Sequence, residues 1–176
     1  HDALPIYGHT FHAHAKGKSG VLLGINAAIG NLDVAEMKLS DFQQGEFVDM
    51  PRGKTGAPRR FWMWPETKSA IEAYLPCRWK KNNDRLFWTR YGLPWLRGDG
   101  TDRQDAIASA FKRVRNEAGI DRGSFYDLRR TFATVAGETR DIMAIRCVMG
   151  HTSQSNDMTA LYTQGVSDER IKAVCL

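Results

Sequence analysis

Apolar residues recur at two spacings along this chain, and the changes of spacing divide it into elements. From Ser19 to Ile29 the stretch is almost continuously small or apolar, which predicts a buried helix, and Gly30-Asn31 ends it. A short helix restarts at Asp33 and runs to about Lys38. Glu46–Pro51 and Arg59–Trp64 are rich in Phe, Val and Trp and read as extended; the polar, glycine-containing turn RGKTGAP between them predicts a β-hairpin. Pro65-Glu66 opens a helix whose apolar face is Ile71, Tyr74 and Leu75, with proline at a tolerated first-turn position. Residues 76–100 read as loop, with RLFWT as a candidate short strand.

The helical spacing then returns. Asp102–Ala118 predicts an amphipathic helix with Ile107, Ala110, Phe111, Val114 and Ala118 on one face, stopped by Gly119. Ser124 with Asp127 three residues on forms a capping-box signature for a helix that buries Phe125, Leu128, Phe132 and Val135 and ends at Gly137. Further helices are expected over Arg140–Met149, closed by Gly150, and over Asp157–Tyr162 and Ser167–Val174. Residues 1–17 read as an irregular segment and 18–176 as one domain. The fold class is α+β: mainly helical, with one small antiparallel sheet.

Composition narrows the partners. The 176 residues carry a net charge of +5, a mild excess compatible with an anionic partner. The basic residues gather in three places: Lys54, Arg59 and Arg60; Arg78, Lys80 and Lys81; and Lys112, Arg113 and Arg115. Each cluster is equally readable as a solvated face. Cys77, Cys147 and Cys175 are far apart, so neither a disulfide framework nor a cysteine zinc site is indicated, and a reducing compartment fits. No apolar run approaches the ~20 residues of a membrane span. His9, His12 and His14 have a spacing that could hold a metal, but no acidic or cysteine partner is obvious beyond Asp2, and no metal site is assigned.

The helix SFYDLRRTFATVAGE is unusual in placing Arg129 and Arg130 in its first turns, where the macrodipole disfavours cations. Two readings are open: an anion such as phosphate held by guanidinium forks, or surface arginines bridging to Asp127. His151 follows a helix-ending glycine in VMGHTS, and Tyr162 lies in DMTALYTQGV.

Three pieces, YDLRRTFATVAG, VMGHTSQSNDMTALYT and RGKTGAPRRFWMWPET, together resemble the catalytic domain of the tyrosine recombinase, or phage integrase, family. The resemblance spans roughly residues 18–174. It implies site-specific recombination or integration of double-stranded DNA through a 3′-phosphotyrosine intermediate, with no metal or nucleotide cofactor. It implies a homotetramer on DNA and a cytoplasmic, DNA-associated bacterial protein. The family's separate N-terminal core-binding domain has no counterpart in these residues. Carried over by position, Tyr162 is the nucleophile, Arg129 clamps the non-bridging oxygens, His151 donates to the same phosphate and Lys54 protonates the leaving 5′-oxygen. Tyr126 stands where the family has histidine. Arg130 takes no catalytic role and joins Arg59 and Arg60 as DNA-binding candidates.

The pattern departs from the family at Gly30. The family's opening helices carry Gly-x-Arg with an acidic residue three positions after the arginine. Here Asp33 matches the acid and Gly30 falls on the arginine. Losing one phosphate clamp costs several kcal/mol of transition-state stabilisation by analogy with lost oxyanion donors. Three accounts follow: a catalytically impaired integrase-like protein that still binds DNA, another arginine, Arg59 or Arg60, reaching the phosphate from the hairpin, or a branch in which Gly-Asn has settled at this site.

Overall fold

The structure is a computed structural model. It describes the backbone of residues 6–79, 84–98, 100–102, 104–151 and 165–176, and their side chains from Lys16 onward. The first helix, α1 (Ile6–Ala27), begins well before the position expected from its apolar run. Residues 6–17 are therefore not irregular. Their alternating polar and apolar positions show no helical stripe, but nothing before Gly17 except Gly8 opposes a helix, and continuation into the apolar half supplies the nucleus.

α1 is the central strut, packing against α4 (Pro65–Tyr74), α5 (Ala106–Glu117) and α6 (Phe125–Gly137). Its contact with α6 is set by Gly24. A Cβ there would lie 2.8 Å from Leu128 Cδ1 and 3.2 Å from Phe125 Cζ, so the glycine allows the two helices to approach. Asn26 locks α1 to the hairpin and to α4. Its amide donates to the Trp62 carbonyl at 3.0 Å, and its oxygen accepts from Trp64 N–H at 2.9 Å and the Thr67 hydroxyl at 3.1 Å. Both heavy atoms of the amide are hydrogen-bonded, as a buried polar group requires.

The helix break falls earlier than Gly30. Ala28 takes the positive φ, 52°, while Gly30 is extended at φ −87°, a conformation open to any residue. α2 (Asn31–Glu36) and α3 (Leu39–Phe42) follow as separate short helices. The hairpin is as expected, with β1 (Phe47–Asp49) antiparallel to β2 (Arg60–Trp62) in the register Val48 opposite Phe61. A second two-stranded sheet, β3 (Leu96–Arg97) with β4 (Gln104–Asp105), lies in the region read as loop and helix start. Two-residue strands carry too little alternation to be seen in sequence. Asp105 caps α5 by accepting from Ile107 N–H at 3.0 Å and Ala108 N–H at 2.9 Å, which moves the helix start from 102 to 106.

α6 has the expected cap and end, but Val135 is exposed and Arg129 takes a place on the buried face with Phe125, Phe132 and Ala136. α7 (Ile142–Met149) and α8 (Asp168–Cys175) close the described chain, and α8 packs on β2 and α7. Trp64 donates its indole N–H to the Cys175 carbonyl. The core joins Leu23, Ile29, Val48, Phe61, Ile71, Phe87, Trp95, Val148 and Ile171 among others. No helix among the described residues is long and apolar enough to cross a membrane.

Candidate active site

Arg129 sits one turn after Phe125 on the inward face of α6, so helix geometry itself carries its guanidinium under the surface. Only 5% of the residue is exposed. One terminal nitrogen donates to the Ala28 carbonyl at 2.5 Å and the other to the Met149 carbonyl at 2.9 Å. The Ala28 carbonyl is offered by the α1–α2 break, which gives that break a function in holding Arg129. These acceptors are neutral, so the positive charge is fixed in position without being cancelled. Burial, with Arg52 and Arg59 nearby, pushes the Arg129 pKa down to about 10, still cationic at neutral pH.

His151 is brought to Arg129 by the end of α7. Gly150 adopts φ 60° and ψ 44°, its N–H bonds the Cys147 carbonyl at 3.2 Å, and His151 N–H bonds the Arg146 carbonyl at 3.0 Å. This is the Schellman pattern, which needs a residue free to enter the left-handed region. A Cβ at Gly150 would also lie 3.0 Å from Arg52 Cβ and 3.4 Å from Arg59 Cβ, so the same glycine lets the hairpin close on the end of α7. His151 Nε2 lies 3.1 Å from an Arg129 nitrogen. Arginine has only donors there, so the imidazole accepts at Nε2 and carries its proton at Nδ1. Burial, then Arg129, Arg52 and Arg146, lowers the His151 pKa from its ordinary value.

The third part of the cluster is built on Asp33 in α2. Its Oδ1 accepts from Gly53 N–H at 2.7 Å, tying down the hairpin turn. Its Oδ2 accepts from Arg59 at 3.0 Å and, more weakly, from Gly30 N–H at 3.4 Å. Arg59 is 2% exposed and sits just ahead of β2. Its carbonyl accepts from Met50 N–H at 3.0 Å, continuing the hairpin ladder, and its Nε and second terminal nitrogen have no hydrogen-bond partner among the described residues. Burial lowers its pKa and Asp33 opposes that shift.

The structure thus brings together Arg129, His151, Asp33, Arg59 and the flank of Gly30. Lys54 is exposed in the hairpin turn, next to the tethered Gly53. Tyr126 is 59% exposed in the first turn of α6. The two arginines of α6 divide the two open readings: Arg129 is buried, whereas Arg130 is exposed and pairs with Asp127 at 3.5 Å. Arg60 pairs with Asp168 at 2.8 Å and with Asp49, linking β2 to α8 and β1. Arg59, the other DNA-binding candidate on the hairpin, is buried rather than on the surface. Tyr162 lies outside the described residues, and so do the side chains of His9, His12 and His14. Among the described residues, no group of His, Cys, Asp and Glu is arranged to hold a metal ion.

Sequence reasoning missed Arg52 as part of the cluster, and named Arg59 without its partner. Arg59 is in step with Phe61 and Met63 along the strand and is buried with them, although Trp62 between those two is buried as well.

Comparison with models of known protein families and with curated protein sequences finds no match. Solved structures do match. The integrase from mycobacterium phage Brujita superposes with a TM-score of 0.61 at 19% identity, over 92% of this chain and 51% of that one. XerH site-specific recombinase bound to difH substrate, in a pre-cleavage complex, gives a TM-score of 0.62 at 19% identity, over 81% of this chain and 41% of that one. The lambda integrase catalytic core gives 0.54 at 16% identity, over 82% of this chain and 92% of that one. The chain therefore has the fold of tyrosine recombinase catalytic domains, and spans about half the length of the Brujita integrase.

Proposed function

We propose that this chain is a tyrosine recombinase catalytic domain that cleaves and rejoins DNA strands during site-specific recombination or integration. The observation that carries the reading is the Arg129–His151 couple at 3.1 Å, set beside the Asp33 carboxylate within a recombinase-like fold. A fixed, uncancelled guanidinium with a neutral imidazole against it suits the oxygens of a phosphodiester.

In this reading the Tyr162 hydroxyl attacks the scissile phosphorus. A phosphorus–oxygen bond to tyrosine forms, the bond to the 5′-oxygen breaks, and the phenolic proton is lost to the surroundings. Covalent catalysis of this kind divides a hard displacement into two easier ones and conserves the phosphodiester for rejoining. Lys54, carried on the exposed turn, gives its proton to the leaving 5′-oxygen. Arg129 and His151 meet the charge that develops on the non-bridging oxygens, and Tyr126 adds a hydroxyl from the first turn of α6. Duplex DNA is the partner, and a homotetramer is the assembly that exchanges strands.

A second reading, a DNA-binding module impaired in cleavage, is favoured by glycine at position 30. The two separate in one assay. A nicked suicide duplex, which loses the 5′-hydroxyl fragment after cleavage, traps a covalent protein–DNA adduct in the wild type and none in Tyr162→Phe. Salt-sensitive DNA binding without any adduct supports the second reading and removes the first.

A further inference from the structure

We propose that Arg59 is a second phosphate-directed guanidinium of this site, delivered from the hairpin to the carboxylate beside which position 30 lies. The inference rests on the reading of the site as a phosphate site. Its geometric basis is convergence on one carboxylate oxygen. Asp33 Oδ2 lies 3.0 Å from the Arg59 guanidinium and 3.8 Å from the point where a side chain at Gly30 would begin. A side chain leaving position 30 and the guanidinium arriving from Arg59 therefore compete for the same place. The resemblance expects an arginine at position 30, and the fold supplies one by another route.

The unused donors of Arg59 point to a ligand rather than to a purely structural pair. Arg129, equally buried, spends both terminal nitrogens on carbonyls. Arg59 spends one on Asp33 and, among the described residues, leaves Nε and the other terminal nitrogen unpartnered at 2% exposure. Buried donors are nearly always satisfied by protein, water or ligand, so two open donors on one buried guanidinium call for a further acceptor. Among the described residues, Arg129 is faced by Arg52 and Arg59 against Asp33, and Arg59 by Arg52 against Asp33 and Asp41, so three guanidiniums meet two carboxylates. An excess of guanidinium over carboxylate in one cluster is a site for an oxyanion, and a phosphodiester is the oxyanion this fold presents to it. Because the donors are enclosed in the free protein, seating any oxyanion, inorganic phosphate included, has to open the cluster. The hairpin turn, held to Asp33 through Gly53, is the element whose displacement does so.

The test moves the charge. Arg59→Met removes the guanidinium while keeping a long side chain, and Arg59→Met with Gly30→Arg returns it from the other route. Gly30 has an extended backbone, and among the described residues only Asp33 lies within 4 Å of where its Cβ would stand, so arginine is tolerated there. Two readouts are taken: the rise in melting temperature given by inorganic phosphate over chloride at matched ionic strength, and adduct formation on the suicide duplex. Wild type shows the phosphate shift, Arg59→Met loses it and slows adduct formation about 100-fold or more, and the double variant recovers at least about tenfold of that rate. A folded Arg59→Met that keeps the shift and cleaves within about threefold of wild type overturns the proposal, as does a folded double variant no better than Arg59→Met. If Arg59→Met does not fold, Arg59→Met with Asp33→Asn leaves no charge stranded and is the less costly change, and its phosphate shift is read instead: loss supports the proposal and retention overturns it. If wild-type protein forms no adduct but Arg59→Met still abolishes the phosphate shift, the cleavage reading fails while the assignment of Arg59 stands.

Discussion

Asp33→Asn is the substitution whose cost follows most directly from the structure. The side chains of Arg59 and Asp33 are 0% and 7% exposed and meet at 3.0 Å. Removing one partner of a buried ion pair costs about 3–5 kcal/mol, because the other charge stays buried without compensation. Asparagine keeps one acceptor, which still serves Gly53 N–H or Arg59, so the lower end applies: about 3 kcal/mol. For a chain of this size that is a fall in Tm of about 6–12 °C. Arg59→Met strands the carboxylate instead and costs a similar ~3 kcal/mol. The double variant strands neither charge and loses roughly 2 kcal/mol, less than either single variant and not 6, which makes the coupling about 4 kcal/mol. Urea unfolding of the four proteins measures it, with the m-value confirming that the same transition is compared. Single losses below about 1 kcal/mol each, or strictly additive ones, would refute the buried pair as the anchor of the hairpin.

Two further outcomes follow from the geometry. In α1, Gly20→Ala places a Cβ 3.7 Å from Trp95, an ordinary contact, and gains up to about 1 kcal/mol of helix propensity; Gly24→Ala drives a Cβ to 2.8 Å from Leu128 and loses about 1 kcal/mol net, so thermal melting gives opposite signs within one helix. For His151, an NMR titration gives a midpoint below the ordinary 6.5 in wild type, and the midpoint rises in Arg129→Gln. Since the folded state holds this histidine neutral, its contribution disfavours folding as pH falls through 6.5 toward the lowered midpoint and vanishes above that window; a midpoint at or above 6.5 contradicts the geometry.

How far the sequence could be read depended on whether a signal was local. The cap at Ser124, the stop at Gly150 and the turn RGKTGAP each rest on residues within one turn of each other, and each element stands where they place it. The start of α1 was not legible, because residues 6–17 have no apolar stripe and their helix is propagated from the half that does. The break at 28–30 was read correctly as a break and wrongly as a glycine effect: Ala28 takes the positive φ, held there while its carbonyl accepts from Arg129, a contact spanning most of the chain. Arg129, His151 and Asp33 were singled out through their motifs, and the structure brings the three near one another. The partnership of Asp33 with Arg59 was not, since 26 positions and a change of element separate them, and pairing across such a gap is a property of the packed fold alone.

The central claim, that Tyr162 becomes covalently joined to DNA at this site, is tested most directly by mass spectrometry of the trapped adduct. After nuclease and protease digestion, the account predicts a single modified peptide carrying a 3′-linked phosphonucleotide on Tyr162, lost in Tyr162→Phe and strongly reduced in Arg129→Gln. A nucleotide on any other residue, or an unmodified Tyr162 from protein that has bound its DNA, would contradict it.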